Sequence, residues 1–359
     1  MRILFLLNFL LLINPWLWSQ SLVSTQIEPK RIILEEFTGV RCNRCPDAHR
    51  IGYAIRDSQP DGVSIIALHP TDDWHTEPLT PGDPDLRNSY ANRFYHQGNF
   101  GGPLYMPAGM VNRREWLPGK RAIGRELWQA AADSIRQETA PLNLGLQARY
   151  NPNSRELLVE VEVFHTQASV GGQKLCVVLT EDSLRVPQAG QGPNYRQNHV
   201  FRHSFTDDPY GEWIAVSPDS GDFQRKTYRF INVADTFHMQ HCRVVAYVRA
   251  PDTEEILNGG EAEITLDPTA HLATRGHADL LKLQVTGEML WLEWEMARPG
   301  QVEATLVGMD GKALRSWKVG GLLPGLQKQK FPLSGVAAGI YVWKMRAAGL
   351  QYVQKIRVP

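Results

Sequence analysis

The spacing of apolar residues changes along this chain, and each spacing limits what its segment can fold into. Between residues 28 and 140, short apolar runs alternate with segments whose apolar residues recur every three or four positions. Residues 31–37, 63–68 and 108–111 read as strands, and 46–56 as a helix with Ala48, Ile51, Gly52 and Ile55 on one face. Residues 120–136 read as a further helix, carried by Ile123, Leu127, Ala131 and Ile135. Residues 70–103 form a polar insertion rich in Pro, Gly, Asp and His, with a short helix near 86–95. Strands alternating with helices indicate an α/β domain.

From 141 to 267 the period becomes two. Leu142, Leu144, Leu146 and Ala148 alternate with polar residues, a turn follows at Asn151-Pro152-Asn153-Ser154, and Val159, Val161 and Val163 resume the alternation. That is a hairpin with one wet face. Residues 175–179 and 242–248 add strands, separated by a long polar loop over roughly 185–225, and a β-sandwich is the economical architecture. Residues 268–279 read as a linker. From 280 to 359, turns every eight to twelve residues separate seven short strands, near 280–285, 289–295, 302–307, 313–319, 327–333, 340–346 and 352–358. This makes a second, smaller sandwich.

Three blocks suit a length of 359 residues, which exceeds one ordinary core. The 38 basic residues balance 38 acidic ones and never run beyond two together, which argues against nucleic acid as the main partner. Residues 1–21 combine one charge at Arg2, an apolar run from Ile3 to Ile13 and small residues at Ser19 and Ser21. This is the pattern of a cleaved secretory signal. The run is too short to span a bilayer, and no later segment is apolar enough, so no transmembrane helix is expected after cleavage. Export leads to an oxidising environment where cysteine pairs persist.

The chain has four cysteines, and two of them form Cys42-Asn43-Arg44-Cys45-Pro46, between the strand ending at Phe37 and the helix that follows. A helix N-terminus favours a thiolate, and Arg41 and Arg44 add positive charge nearby. Two intervening residues let the sulfurs bond within one turn, so the pair can alternate between dithiol and disulfide. A static structural disulfide also fits. So does a metal site recruiting His49, His69 or His75, although no second cysteine pair supplies a fourth ligand. The redox pair is the preferred reading, with no cofactor and no resident metal.

Cys176 and Cys242 fall on strands of the middle block, as an inter-sheet bridge or as two buried thiols. His69, Asp72, Asp73, Trp74, His75 and Glu77 cluster after the second strand, as a solvated loop or a lip around the cysteines. Asn198-His199-Val200-Phe201-Arg202 suggests no chemistry of its own.

The strand–CxxC–helix order resembles the active site of thioredoxin-like proteins. Glu36, six residues before Cys42, matches their buried proton acceptor, and Pro107 in Tyr105-Met106-Pro107 matches their cis-proline. The resemblance implies that Cys42 attacks a substrate disulfide, that Cys45 resolves the mixed disulfide, and that Glu36 takes the Cys45 proton, with protein thiols or disulfides as substrates. Arg41 replaces an aromatic residue and Asn43-Arg44 a Gly-Pro pair, so substrate and potential stay open.

Leu34-Glu35-Glu36-Phe37-Thr38-Gly39 with the cysteine pair, Pro107-Ala108-Gly109-Met110-Val111-Asn112-Arg113 and Asn198-His199-Val200-Phe201-Arg202 together resemble the outer membrane protein 28 family over roughly 28–265. Members are exported proteins of Bacteroidetes-type bacteria and have been called adhesins. This implies a thioredoxin-like α/β domain followed by an immunoglobulin-like sandwich, at or beyond the outer membrane. The alternative to an oxidoreductase is a surface binding protein whose cysteines staple a loop. Met309-Asp310-Gly311-Lys312, the run from Ala338 to Lys344 and the terminal Gln354-Lys355-Ile356-Arg357-Val358 resemble the C-terminal sorting domain of type IX secretion cargo. That likeness implies the type IX machinery as a partner. The expected order is therefore signal 1–21, α/β domain 28–140, two all-β sandwiches at 141–267 and 280–359, and a linker at 268–279.

Overall fold

The computed structural model describes residues 21–95, 105–206, 210–268, 282–296, 300–308, 312–322, 325–347 and 350–359. The signal read at 1–21 lies outside the described residues except for Ser21. The linker lies outside except for Pro268, as do Met309, Asp310 and Gly311.

The first block runs β1 (Ile32–Phe37), α1 (Cys45–Asp57), β2 (Val63–Leu68), α2 (Ser89–Tyr95), β3 (Ala108–Val111), β4 (Ala122–Gly124) and α3 (Trp128–Arg136). β1 and β2 are parallel, so they need a crossover, and α1 supplies it. Pro46 sits in the first turn of α1, where a missing N–H breaks no helical bond. The helix buries Cys45, Ala48, His49, Gly52 and Ile55 on one side. Ala48 and Ile55 share a core with Trp128 and Ile135 of α3 and with Ile32, Leu34, Val63 and Ile65. On the opposite face of the sheet, Tyr90, Ala91 and Phe94 of α2 pack on Ile33, Phe37, Ile66 and Leu68. Cover on both faces accounts for the unbroken burial of β1 and β2.

The helix read over 120–136 is shorter than its spacing suggests. Ala122–Gly124 pairs with β3, and a 3-10 turn at Arg125–Leu127 precedes α3. Ile123 is buried as a strand residue just as it would be on a helix, so its periodicity could not separate the two.

The second block holds β5 (Leu142–Asn151), β6 (Glu156–His165), β7 (Gly172–Glu181), β8 (Leu184–Arg185), β9 (Arg196–Gln197), β10 (Val200–Ser204), β11 (Glu212–Val216), β12 (Phe223–Phe230), β13 (Cys242–Arg249) and β14 (Ile256–Leu266). β5 and β6 form the expected hairpin. The supposed loop at 185–225 contains most of β8 through β11 and the start of β12. β12 is an edge strand beside β6, with polar residues suited to an open flank, so it carries no clean alternation.

Hydrogen bonding crosses the boundary read near residue 140. Val200 of β10 pairs with Ala67 of β2, and the Ala67 amide donates to the His199 carbonyl at 2.8 Å. One mixed sheet therefore runs from β4 through β3, β1, β2, β10, β7, β13, β14, β5 and β6 to β12. β14 pairs with β13 as far as Glu263, then with β5 from Ile264. A strand that changes partner makes a corner, and β5 and β6 fold back so that Leu142, Val159 and Val161 share a core with Leu175, Val177, Val244 and Ala246.

The third block comprises β15 (Lys282–Thr286), β16 (Met289–Met296), β17 (Gly300–Val307), β18 (Ala313–Leu322), β19 (Gly325–Pro332), β20 (Gly339–Ala347) and β21 (Leu350–Val358). They form a three-stranded and a four-stranded sheet around Leu290, Leu292, Phe331, Val302, Leu306 and Trp343. These are the seven strands expected, with bounds moved by a few residues. Among the described residues, no helix is long and apolar enough to cross a membrane.

Candidate redox site

Cys42 and Cys45 are joined as a disulfide. Cys42 lies in the loop after β1, with its amide donating to the Gly39 carbonyl at 3.1 Å, and Cys45 opens α1. Gly39 is required by close packing: a Cβ there would lie 2.4 Å from the His75 carbonyl oxygen. The same oxygen accepts from the Arg41 amide at 2.7 Å, so the insertion after β2 is fastened to the cysteine loop. The Arg41 guanidinium donates to the carbonyls of Glu77 and Pro78, which directs its side chain to the insertion.

Glu36 sits beneath this loop, 1% exposed, and its Oε1 has no hydrogen-bond partner. Burial holds its carboxyl well above the usual carboxylate range. Oε1 lies 3.6 Å from His49 Nε2. His49 is one turn beyond Cys45 on the buried side of α1. Its Nε2 shares a hydrogen bond with the Thr38 hydroxyl at 2.7 Å, and its Nδ1 shares one with the Tyr195 hydroxyl at 2.8 Å. Burial, reinforced by the nearby His199, pulls the His49 pKa down to about 4, so the ring is neutral near pH 7.

Tyr195 belongs to the β8–β9 hairpin of the second block, which covers the cysteine loop. The Gln188 side-chain amide donates to the carbonyls of Gly39 at 3.2 Å and Cys42 at 3.0 Å. The Ala189 amide donates to the Val40 carbonyl at 2.8 Å, and Gln197 holds Gln188 through a 2.7 Å bond to its oxygen. Val40 packs with Val186, Val200 and Leu86. Under this cover Cys42 is 4% exposed and Cys45 fully buried. Nothing in the spacing of residues 185–197 pointed to this docking. His49 was legible only as a position four residues after Cys45.

The Met106–Pro107 bond is cis, and Pro107 stands one residue before Ala108, which faces Phe37 across the β1–β3 ladder. The chain thus brings Glu36, Cys42, Cys45 and Pro107 to the same end of β1. His69 is buried, and burial together with His49 lowers its pKa to about 3. Asp73 accepts from His75, caps its short turn and also takes the Tyr95 hydroxyl proton bond. Trp74 is exposed. No group of three His, Cys, Asp or Glu among the described residues could hold a metal ion.

Cys176 and Cys242 lie on adjacent strands of one sheet, where Cys176 is opposite Tyr247 and Cys242 opposite Glu181. Cys176 packs with α2 on one face, and Cys242 packs with β5 and β6 on the other. Of the two alternatives, the bridge is excluded by this register, and both remain buried thiols.

The two remaining motifs act as joints between blocks. Asn112 accepts from the Ile33 amide and donates to the Arg31 carbonyl, while its own carbonyl accepts from the Ile256 amide. Arg113 grips Glu35 through two 2.6 Å bonds. In the other motif, His199 supplies the carbonyl that joins β10 to β2, and Phe201 stacks on Tyr90 with ring centres 4.3 Å apart.

Residues 94–267 match the family model of outer membrane protein Omp28. The Omp28 match includes the motifs at Pro107–Arg113 and Asn198–Arg202 and begins after the cysteine pair. Among solved structures, HBP35 of Porphyromonas gingivalis is similar over 92% of this chain and 99% of its own, at 19% identity and a TM-score of 0.52. This likeness supports a shared fold. A domain of the outer membrane lipoprotein Omp28 from Porphyromonas gingivalis aligns with 36% of this chain and 91% of its own, at 18% identity and a TM-score of 0.27. No curated protein matches the sequence.

Proposed function

We propose that the chain is an Omp28-type exported protein, at the outer membrane surface or released beyond it, whose first block is a thioredoxin-like thiol–disulfide oxidoreductase. The observation that carries this reading is Glu36, a fully buried carboxyl with an unpartnered oxygen beneath a CxxC pair. A polar group left unpaired in a core costs about 1–3 kcal/mol. A disulfide that only staples a loop has no use for it, whereas a resolving cysteine needs a proton acceptor. Pro107, one residue before the strand beside β1, stands at the same end of β1 and supports the same reading. In the reaction, the Cys42 thiolate attacks a substrate disulfide and one substrate thiolate leaves. Cys45 then loses its proton to Glu36 and attacks the Cys42 sulfur. The second substrate thiolate departs, and the protein ends as the disulfide.

The test is insulin reduction by the full chain, together with the potential of the Cys42–Cys45 couple. Activity abolished by Cys42→Ser and a potential above the structural range support the reading. No activity and a potential below about −300 mV overturn it. That outcome would favour a second reading, a non-enzymatic surface binding protein or adhesin stapled at this loop. Its supporting observation is the burial of both sulfurs, since reactive cysteines are ordinarily accessible.

The middle block is proposed as an immunoglobulin-like sandwich, and residues 280–359 as a type IX sorting domain recognised by that machinery after a cleaved signal at 1–21. The seven-stranded two-sheet form of the third block supports the sorting role. Deleting 280–359 should abolish surface delivery, and a truncated protein that still reached the surface would remove the assignment.

A further inference from the structure

We propose that His49 and Tyr195 form the proton outlet of Glu36, so that the second block completes the redox site of the first. This rests on the oxidoreductase reading and extends it to two residues outside the CxxC motif. A buried acid that takes the Cys45 proton must lose it again before the next cycle, and Glu36 is only 1% exposed, with its Oε1 buried and unpartnered. His49 stands beside its unpartnered oxygen, with Nε2 at 3.6 Å. The other nitrogen of that ring is bonded at 2.8 Å to the Tyr195 hydroxyl, and Tyr195 is partly exposed. The three groups form a line from the core to the solvent edge of the hairpin.

The proton inventory closes along this line. A neutral imidazole has one N–H and one lone pair. With the proton on Nδ1, the ring donates to Tyr195 and presents its Nε2 lone pair to Thr38 and Glu36. As the Glu36 carboxyl closes on Nε2, its proton passes to that nitrogen, the Nδ1 proton passes to the Tyr195 oxygen, and the phenolic proton leaves to water. Glu36 is again a carboxylate, and the ring stays neutral with its tautomer exchanged. Re-reduction of the disulfide runs the line backwards and resets it. The low His49 pKa suits this role, because a ring that held a proton would block the path.

The experiment uses the full chain and the variant Tyr195→Phe, which keeps the ring and removes the hydroxyl. In reduced protein mixed rapidly with insulin, the first resolution of the mixed disulfide by Cys45 should keep its rate, whereas repeated turnover with excess dithiol should slow about tenfold. Alkylation of Cys42 by iodoacetamide should be unchanged, and added imidazole should restore the repeated turnover. A variant that turns over repeatedly at the wild-type rate overturns the relay while leaving the oxidoreductase reading intact. So does a slowed variant that imidazole does not restore. A wild-type protein that reduces no disulfide overturns both readings.

Discussion

The Gln188 side-chain amide donates to the carbonyl oxygen of Cys42 at 3.0 Å, although the two residues lie 146 positions apart and in different sequence blocks. This bond fastens the β8–β9 hairpin over the disulfide. Gln188→Ala removes it along with the bond to Gly39, and it leaves the Gln197 amide without its acceptor. The expected result is an approximately tenfold faster reduction of the disulfide by a small phosphine, at a cost of about 1–3 kcal/mol in stability. Thiol release with time and urea unfolding measure the two effects. An unchanged reduction rate would mean that the hairpin does not limit access.

Glu36 gives the fold a pH dependence of known sign. Its folded carboxyl holds a proton at pH values where the unfolded chain, near 4.5, has lost it. In that window the native state binds more protons, so stability falls as pH rises, by at most about 1.4 kcal/mol per pH unit. Glu36→Gln abolishes this slope. Urea midpoints compared at about pH 5 and about pH 8 should show the variant gaining on the wild type as pH rises. A wild type that gained instead would show that a cation or several donors pair with the carboxylate.

The legible parts of this molecule were those written in local spacing. β2 and β3 fall on their expected bounds, and the third block reveals its seven strands because each alternates and ends at a turn. Glu36 could be singled out only through the resemblance, since its place six residues before Cys42 matches the buried acid of thioredoxin-like proteins. Pairings between distant segments had no such signature. Val200 meets Ala67, and Tyr195 meets His49, through contacts that neither segment encodes alone. The helix over 120–136 failed at its start for a related reason: β4 exists because β3 lies beside it, and Ile123 fits both conformations. Arg113 belonged to a recognised motif, yet its work is to hold Glu35 and Tyr247 together across the blocks.

That grip is testable. The side chains of Arg113 and Glu35 are both fully buried, and the guanidinium also donates to the Tyr247 hydroxyl at 2.7 Å. Its carbon lies 4.3 Å from the centre of the Phe94 ring. Arg113→Met would leave Glu35 in the core without its cation and with only the Tyr247 hydroxyl donating to it, at a cost of about 3–5 kcal/mol. Adding Glu35→Gln should recover most of that loss, because the penalty comes from the stranded charge. Chemical denaturation of both variants reads the difference. A double variant as unstable as the single one would show that packing against Phe94, and not charge, carries the joint.

The sheet register also sets the behaviour of the other two cysteines. Cys176 and Cys242 point to opposite faces of the β7–β13 pair, so no rotation of either side chain brings their sulfurs together. Burial pushes the Cys176 thiol up to about 11 and raises Cys242 as well, which leaves little thiolate at neutral pH. The oxidised native protein should therefore give no rapid reaction with a thiol-specific dye. In denaturant and without reductant it should give two thiols per chain, one from each of these positions. A denatured protein that still showed none would mean that they are bridged, and the pairing of β7 with β13 would have to be redrawn.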